Sequence, residues 1–241
     1  MTSLQENSAS SWCLVGMVLA SALFWIQYVD TKDRIAPEPR TMLALAFGLG
    51  LGSAGLAMLL FRTIDWLGVP YLTDGGLGWL AVYCFCFIGP IEEGAKLLVS
   101  WLVVFRWAEY DEPIDGFVYA AAVSLGFASL ENLLHLPGLA LWEQLARTAT
   151  LPLTHTLFAA IWGLGIARAR MLMAPGWKRT AWQAASMLVA MLLHGGYDFL
   201  IFAWQATWAT SLMALLLWIF VIWRAHQLVR EQPRTKRAPL C

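Results

Sequence analysis

The chain has 241 residues, of which 59% are hydrophobic and 13% charged, with 14 Trp and a mean hydropathy of +0.61. A soluble domain carries about 25% charged residues, so this composition excludes one and implies a polytopic membrane protein. The formal net charge of +0 provides no basic field, and nucleic acid is not an expected partner.

A transmembrane helix needs about 20 mostly apolar residues, and segments near 12–29, 41–62, 77–106, 116–136, 149–170, 181–202 and 206–226 meet that standard. The expected fold is an all-α, polytopic helical bundle of about seven spans. It would comprise a short tail over 1–11, one transmembrane domain over 12–226 and a basic tail over 227–241. Met1 to Ser11 contains no Lys or Arg, so the first apolar run reads as a retained span rather than a signal peptide. Cys13, Cys84 and Cys86 lie in apolar runs without zinc-site spacing and read as buried small hydrophobes; Cys241 is the last residue.

Three segments are basic. The loop from Asp30 to Arg40 is broken by Pro37 and Pro39 and holds Lys32, Arg34 and Arg40. The loop after the fifth span carries Arg168, Arg170, Lys178 and Arg179, and the tail carries Arg224, Arg230, Arg234, Lys236 and Arg237. Seven spans put all three on one side, which the positive-inside rule makes cytoplasmic, with the N-terminus outside.

The third span contains Gly89-Pro90-Ile91-Glu92-Glu93-Gly94-Ala95-Lys96. A charge at the bilayer centre costs about 2.5–3.5 kcal/mol, so three together need a partner, a water-filled cavity or a task. As one straight helix the segment would run about 45 Å against a hydrocarbon core of about 30 Å. Pro90 is the expected bend, with Gly89 and Gly94 allowing other helices to approach. Lys96 falls about 40° from Glu92 and about 60° from Glu93 around the helix, within reach of both. An ion pair that only holds helices together would account for one carboxylate and leave the other uncompensated.

Later spans add further polar groups. Phe127 and Glu131 share a face at i, i+4, followed by Asn132; His155 stands near the start of the fifth span, just after Pro152. In the sixth, His194 and Asp198 are one turn apart, where the Asp would fix the histidine's tautomer. His135, before Pro137, reads as interfacial, and His226 belongs to the basic tail. With the N-terminus outside, Glu131, His155 and His194 fall in the outer half of the bundle, His155 roughly 9 Å below the edge. Glu92, Glu93, Glu131 and Asp198, all ionised and opposed by Lys96 alone, would leave −3 in a low-dielectric site. Either a carboxylate then serves as a general acid or base, or a Glu and His subset binds a divalent cation. Ser100, Ser124 and Ser129 lack a nucleophile-elbow context.

Glu92-Glu93-x-x-Lys96, Phe127-x-x-x-Glu131-Asn132, an isolated His155 and His194-x-x-x-Asp198, in that order on successive helices, resemble the PrsW family of intramembrane proteases. That family lies within the wider superfamily of CAAX-prenyl-type membrane endopeptidases. The resemblance covers about residues 10–205 and implies a multi-pass protein of the cell membrane, the bacterial inner membrane in particular. Its partners would be the lipid bilayer and a membrane-anchored protein substrate, cut near the outer face; for the namesake members that substrate is an anti-sigma factor. Carried onto this chain, the resemblance makes Glu92 and Glu93 the water-activating pair, with Lys96 orienting or balancing them. Glu131, His155 and His194 would bind metal or stabilise the oxyanion, with Asn132 and Asp198 in support. All five of Glu92, Glu93, Glu131, His155 and His194 are candidate ligands for one divalent ion, zinc foremost, although a metal-free mechanism is equally compatible with the motifs. From a different class, a proton-coupled transporter would use the same buried Glu, Lys and His as a relay, but the paired half-helices of two related halves are not evident.

Overall fold

The computed structural model describes the backbone of residues 2–32, 37–205 and 207–231, and the side chains of 12–32, 37–205 and 209–227. Arg234, Lys236, Arg237, Cys241 and part of the first loop, including Arg34, lie outside the described residues. Helices α1 (Thr2–Asp30), α2 (Arg40–Trp66), α3 (Gly76–Tyr83), α4 (Gly89–Leu102), α5 (Asp115–His135), α6 (Leu141–Leu172), α7 (Trp177–Trp204) and α8 (Thr207–Glu231) follow one another. The described residues contain no strand. Backbone N–H and C=O groups in lipid must be satisfied within the segment, and helices do so.

Six helices, α1, α2, α5, α6, α7 and α8, are individually long and apolar enough to cross a membrane. The remaining expected span is the composite run from Gly76 to Leu102, in which a π-helical turn, Cys84–Ile88, joins α3 to α4. The sequence points to Pro90 as the bend, and the distortion lies just ahead of it. Pro90 has no N–H to offer the carbonyl one turn back, and the hydrogen-bond ladder widens into i→i+5 bonds there. The run stops at Leu102, short of the expected 106, and a 3₁₀ turn over Val104–Arg106 follows.

α5 is the axis of the bundle, buried without a break from Asp115 to Ser129, with α1, α2, α4 and α6 packed around it. Lipid tails are as apolar as leucine, so helices associate here through close packing of small residues. A Cβ on Gly116 would strike the Gly163 carbonyl, and one on Gly163 would strike that of Gly116, which draws α5 against α6. Gly89 meets the Met191 carbonyl and Gly195 the Cys84 carbonyl in the same way, which brings α4 against α7. Gly94 has only ordinary contact with the Met191 methyl, so the close approach expected there is carried by Gly89 alone.

Of the described cysteines only Cys84 is buried; Cys13 and Cys86 are exposed on the outside of the bundle. Burial was the sequence expectation for all three. A membrane-facing position is as apolar as a core one, and composition cannot separate them.

Candidate active site

Four helices each contribute to one polar cluster: Glu92, Glu93 and Lys96 from α4, Glu131 from α5, His155 from α6, and His194 and Asp198 from α7. Glu93 is fully buried. Its Oε1 accepts from Lys96 Nζ at 2.7 Å and from His194 Nδ1 at 2.8 Å, and its Oε2 accepts from Trp162 Nε1 at 2.9 Å. Lys96 also lies 2.7 Å from His155 Nδ1 and sits over the Phe127 ring. On the far side of that imidazole, Nε2 is 3.0 Å from Glu131 Oε2, while Glu131 Oε1 accepts from Arg147 Nη2 at 2.8 Å.

The donor and acceptor chemistry of these partners places the protons. A carboxylate only accepts, so His194 Nδ1 carries the hydrogen given to Glu93. The Lys96 ammonium only donates, so His155 Nδ1 accepts and Nε2 carries the hydrogen directed at Glu131. A continuous chain results, from half-exposed Arg147 through Glu131, His155, Lys96 and Glu93 to His194. Phe158 stacks on His194 with centroids 4.8 Å apart, and Phe127 lies 5.4 Å from His155, so both imidazoles are held in plane by rings.

Glu92 differs from its neighbour. Its Oε2 is buried with no hydrogen-bond partner, 3.7 Å from His194 Nε2 and 4.0 Å from His155 Nδ1. Glu92, His155 and His194 each offer one ligand atom, all within 4.8 Å of one another. One carboxylate and two imidazoles form a donor set suited to zinc. Glu93 bonded to the rear of His194 is the kind of outer partner that orients a ligating histidine. The residues present fit a divalent cation once His155 Nδ1 exchanges the Lys96 ammonium for it, and the unpartnered Glu92 oxygen is the observation that carries the fit. Glu93 and Glu131 do not belong to that group of three among the described residues; both Glu93 oxygens are bonded, whereas Glu131 has Oε1 bonded to Arg147 and Oε2 without a hydrogen bond, 3.0 Å from His155 Nε2.

Several expectations change in detail. Asp198 was to fix the tautomer of His194; Glu93 does so, and Asp198 stands 3.5 Å from Nε2 on the other edge of the ring. Lys96 reaches Glu93 and His155 but makes no described bond to Glu92. Arg147 joins the cluster, and the excess charge of the four carboxylates falls from −3 to −2. Asn132 is fully buried with neither amide atom bonded. His135 is exposed, with Nδ1 2.9 Å from the Glu131 carbonyl, and His226 is exposed on α8; neither touches the cluster.

Trp162 and Arg147 are not singled out by the sequence. Trp162 stands seven residues after His155, two turns on along the same helix face, which is the available signal. Arg147 lies eight residues before His155 on α6, and its length lets it reach across to α5.

Residues 38–225 match the family model described as PrsW family intramembrane metalloprotease. Protease PrsW of Geobacillus kaustophilus is 32% identical over 221 residues, covering 90% of this chain and 91% of that protein. Protease PrsW of Bacillus subtilis is 31% identical over 219 residues, covering 90% and 95%. Protease PrsW of Clostridioides difficile is 26% identical over 208 residues, covering 85% and 83%. No solved structure matches the chain.

Proposed function

The chain belongs to the PrsW family of intramembrane metalloproteases and is a membrane-embedded protease, and we propose that Glu92, His155 and His194 form the centre at which it hydrolyses a peptide bond. The observation that supports this is the free Glu92 Oε2 facing two buried histidines. A divalent cation held by Glu92, His155 and His194 would polarise the scissile carbonyl and acidify the attacking water.

The chain's own residues divide the remaining work. Glu92 accepts the proton of a water molecule on the carboxylate oxygen that does not hold the cation, and the oxygen of that water bonds to the carbonyl carbon. The carbonyl oxygen takes the negative charge as its double bond opens. When the C–N bond breaks, the proton on Glu92 passes to the departing amine nitrogen, and the acid and amine products leave with the elements of water divided between them. Glu93 keeps His194 in one tautomer and orientation, and Lys96 and Trp162 hold Glu93 in turn.

The substrate is a membrane-anchored protein, an anti-sigma factor in regulated proteolysis by analogy with the namesake members, cut near the outer face. An N-terminus outside and a cytoplasmic C-terminus agree with the basic residues Arg168, Arg170, Lys178, Arg179 and Arg224 on one side, which fits the bacterial inner membrane.

The test is cleavage of a single-span substrate by purified protein in detergent, comparing wild type with Glu92→Gln and His194→Ala, each with and without chelator. Loss of cleavage in both variants, and its restoration by zinc after chelation, is the expected result. Full activity in Glu92→Gln would sink the assignment. Chelator resistance, with no metal found by elemental analysis, would remove the cation from it.

A further inference from the structure

α5 and α6 carry a second set of unpaired polar groups. Asn132 is fully buried with both amide atoms unbonded, and the hydroxyls of Ser124, Thr148 and Thr156, all on buried residues, have no partner. α5 and α6 run antiparallel, with Gly116 against Gly163 and Phe127 against His155. That register sets Asn132 level with Thr148 and Ser124 level with Thr156. The two levels are eight residues apart on each helix, about 12 Å.

The helices cannot close this seam by themselves. Pro152 lies inside α6 and has no N–H for the Thr148 carbonyl, which instead accepts from Ser21 Oγ of α1 at 2.6 Å. Leu14 and Val18 of α1 pack on Leu136 at the end of α5, so α1 roofs the same level. Glu131 and His155, whose side chains face the chamber, neighbour Asn132 and Thr156 in sequence. Unbonded amide and hydroxyl groups on several helices, away from bulk solvent, are what bound water satisfies, each molecule needing two to four polar partners.

We propose that the α1–α5–α6 seam binds a short file of water molecules on Asn132, Thr148, Ser124 and Thr156, which supplies the chamber with the water that hydrolysis consumes. The supply role rests on the hydrolytic reading above; the water site itself does not. An enzyme surrounded by lipid consumes one water per bond cut, and polar groups along the seam give that water a path between apolar helices.

The experiment is hydroxyl-radical labelling of the full chain in detergent, read by mass spectrometry, alongside cleavage kinetics, for wild type, Asn132→Leu and Thr148→Val. Wild type is expected to be labelled along the seam. Both variants should lose most of that label, with kcat lowered about tenfold through the missing water contacts and KM and melting temperature unchanged. Thr148→Val preserves volume and carries the test if Asn132→Leu does not fold. An unlabelled seam in wild type overturns the proposal, and so does full kcat in a variant that has lost the label. A labelled seam in a wild-type protein that cleaves nothing would support the water site and overturn the hydrolytic reading of the chamber.

Discussion

Two ends of α5 bury carboxylates, and they do so differently. At its start, Asp115 Oδ2 accepts the backbone N–H groups of Asp111 and Glu112 at 2.8 and 2.6 Å, and Tyr119 donates to Glu38. The Asp115 Oδ2 donors are backbone N–H groups within four residues, and the bonds fold the loop before α5 onto the helix N-terminus, where a carboxylate is favoured. At the other end, Glu131 and Glu93 are joined by charged and imidazole groups drawn from α4, α6 and α7, and Glu92 presents an unbonded oxygen to two histidines. Burial of an acid is thus common to a structural joint and a reactive centre. An unbonded carboxylate oxygen occurs at both ends, on Asp115 at one and on Glu92 and Glu131 at the other, and what sets the centre apart is the convergence of carboxylates, a lysine and two histidines from four helices.

The sharpest way to break this contrast is Glu92→Gln. Cleavage should fall by a factor of about 10³ or more, from loss of the proton acceptor, with little change in melting temperature because Glu92 Oε2 bonds nothing. A protein that keeps its activity, or that unfolds, would place Glu92 with the structural acids. Lys96→Met should inactivate and also destabilise, by about 3–5 kcal/mol, because it strips the cation from a fully buried carboxylate; thermal unfolding in detergent reads this. A melting point unmoved by that change would show that the chain of contacts is not holding the helices.

Smaller effects separate positioning from packing. Trp162→Phe removes the donor to Glu93 while keeping a ring in place, and kcat should drop about tenfold with KM unchanged, the loss of one hydrogen bond to a charged group. Equal loss in kcat and protein yield would make Trp162 a packing residue only. At the structural end, Tyr119→Phe removes the bond to Glu38 and should lower stability by about 1–2 kcal/mol, with cleavage per folded molecule untouched. A selective fall in kcat there would mean that the two ends are coupled.

By itself the sequence determined the all-helical membrane fold, because some 20 apolar residues in a row have few other stable outcomes in lipid. It also determined that Glu92, Glu93, Lys96, Glu131, His155, His194 and Asp198 belong together, since charge in an apolar span is costly and helical spacing assigns each to a face. Those rules act within one helix. How far each helix is rotated and raised against its neighbours depends on close backbone contacts such as Gly89 with Met191 and Gly116 with Gly163, and on the π turn ahead of Pro90. Only the tertiary structure therefore decided that Glu93 is bonded on both oxygens while Glu92 Oε2 is unbonded. The same packing chose Glu93 over Asp198 as the partner of His194 Nδ1, and brought Trp162 and Arg147 into the cluster. Adjacent glutamates 100° apart on one helix are chemically identical until neighbouring helices supply donors to one and leave the other facing the histidines.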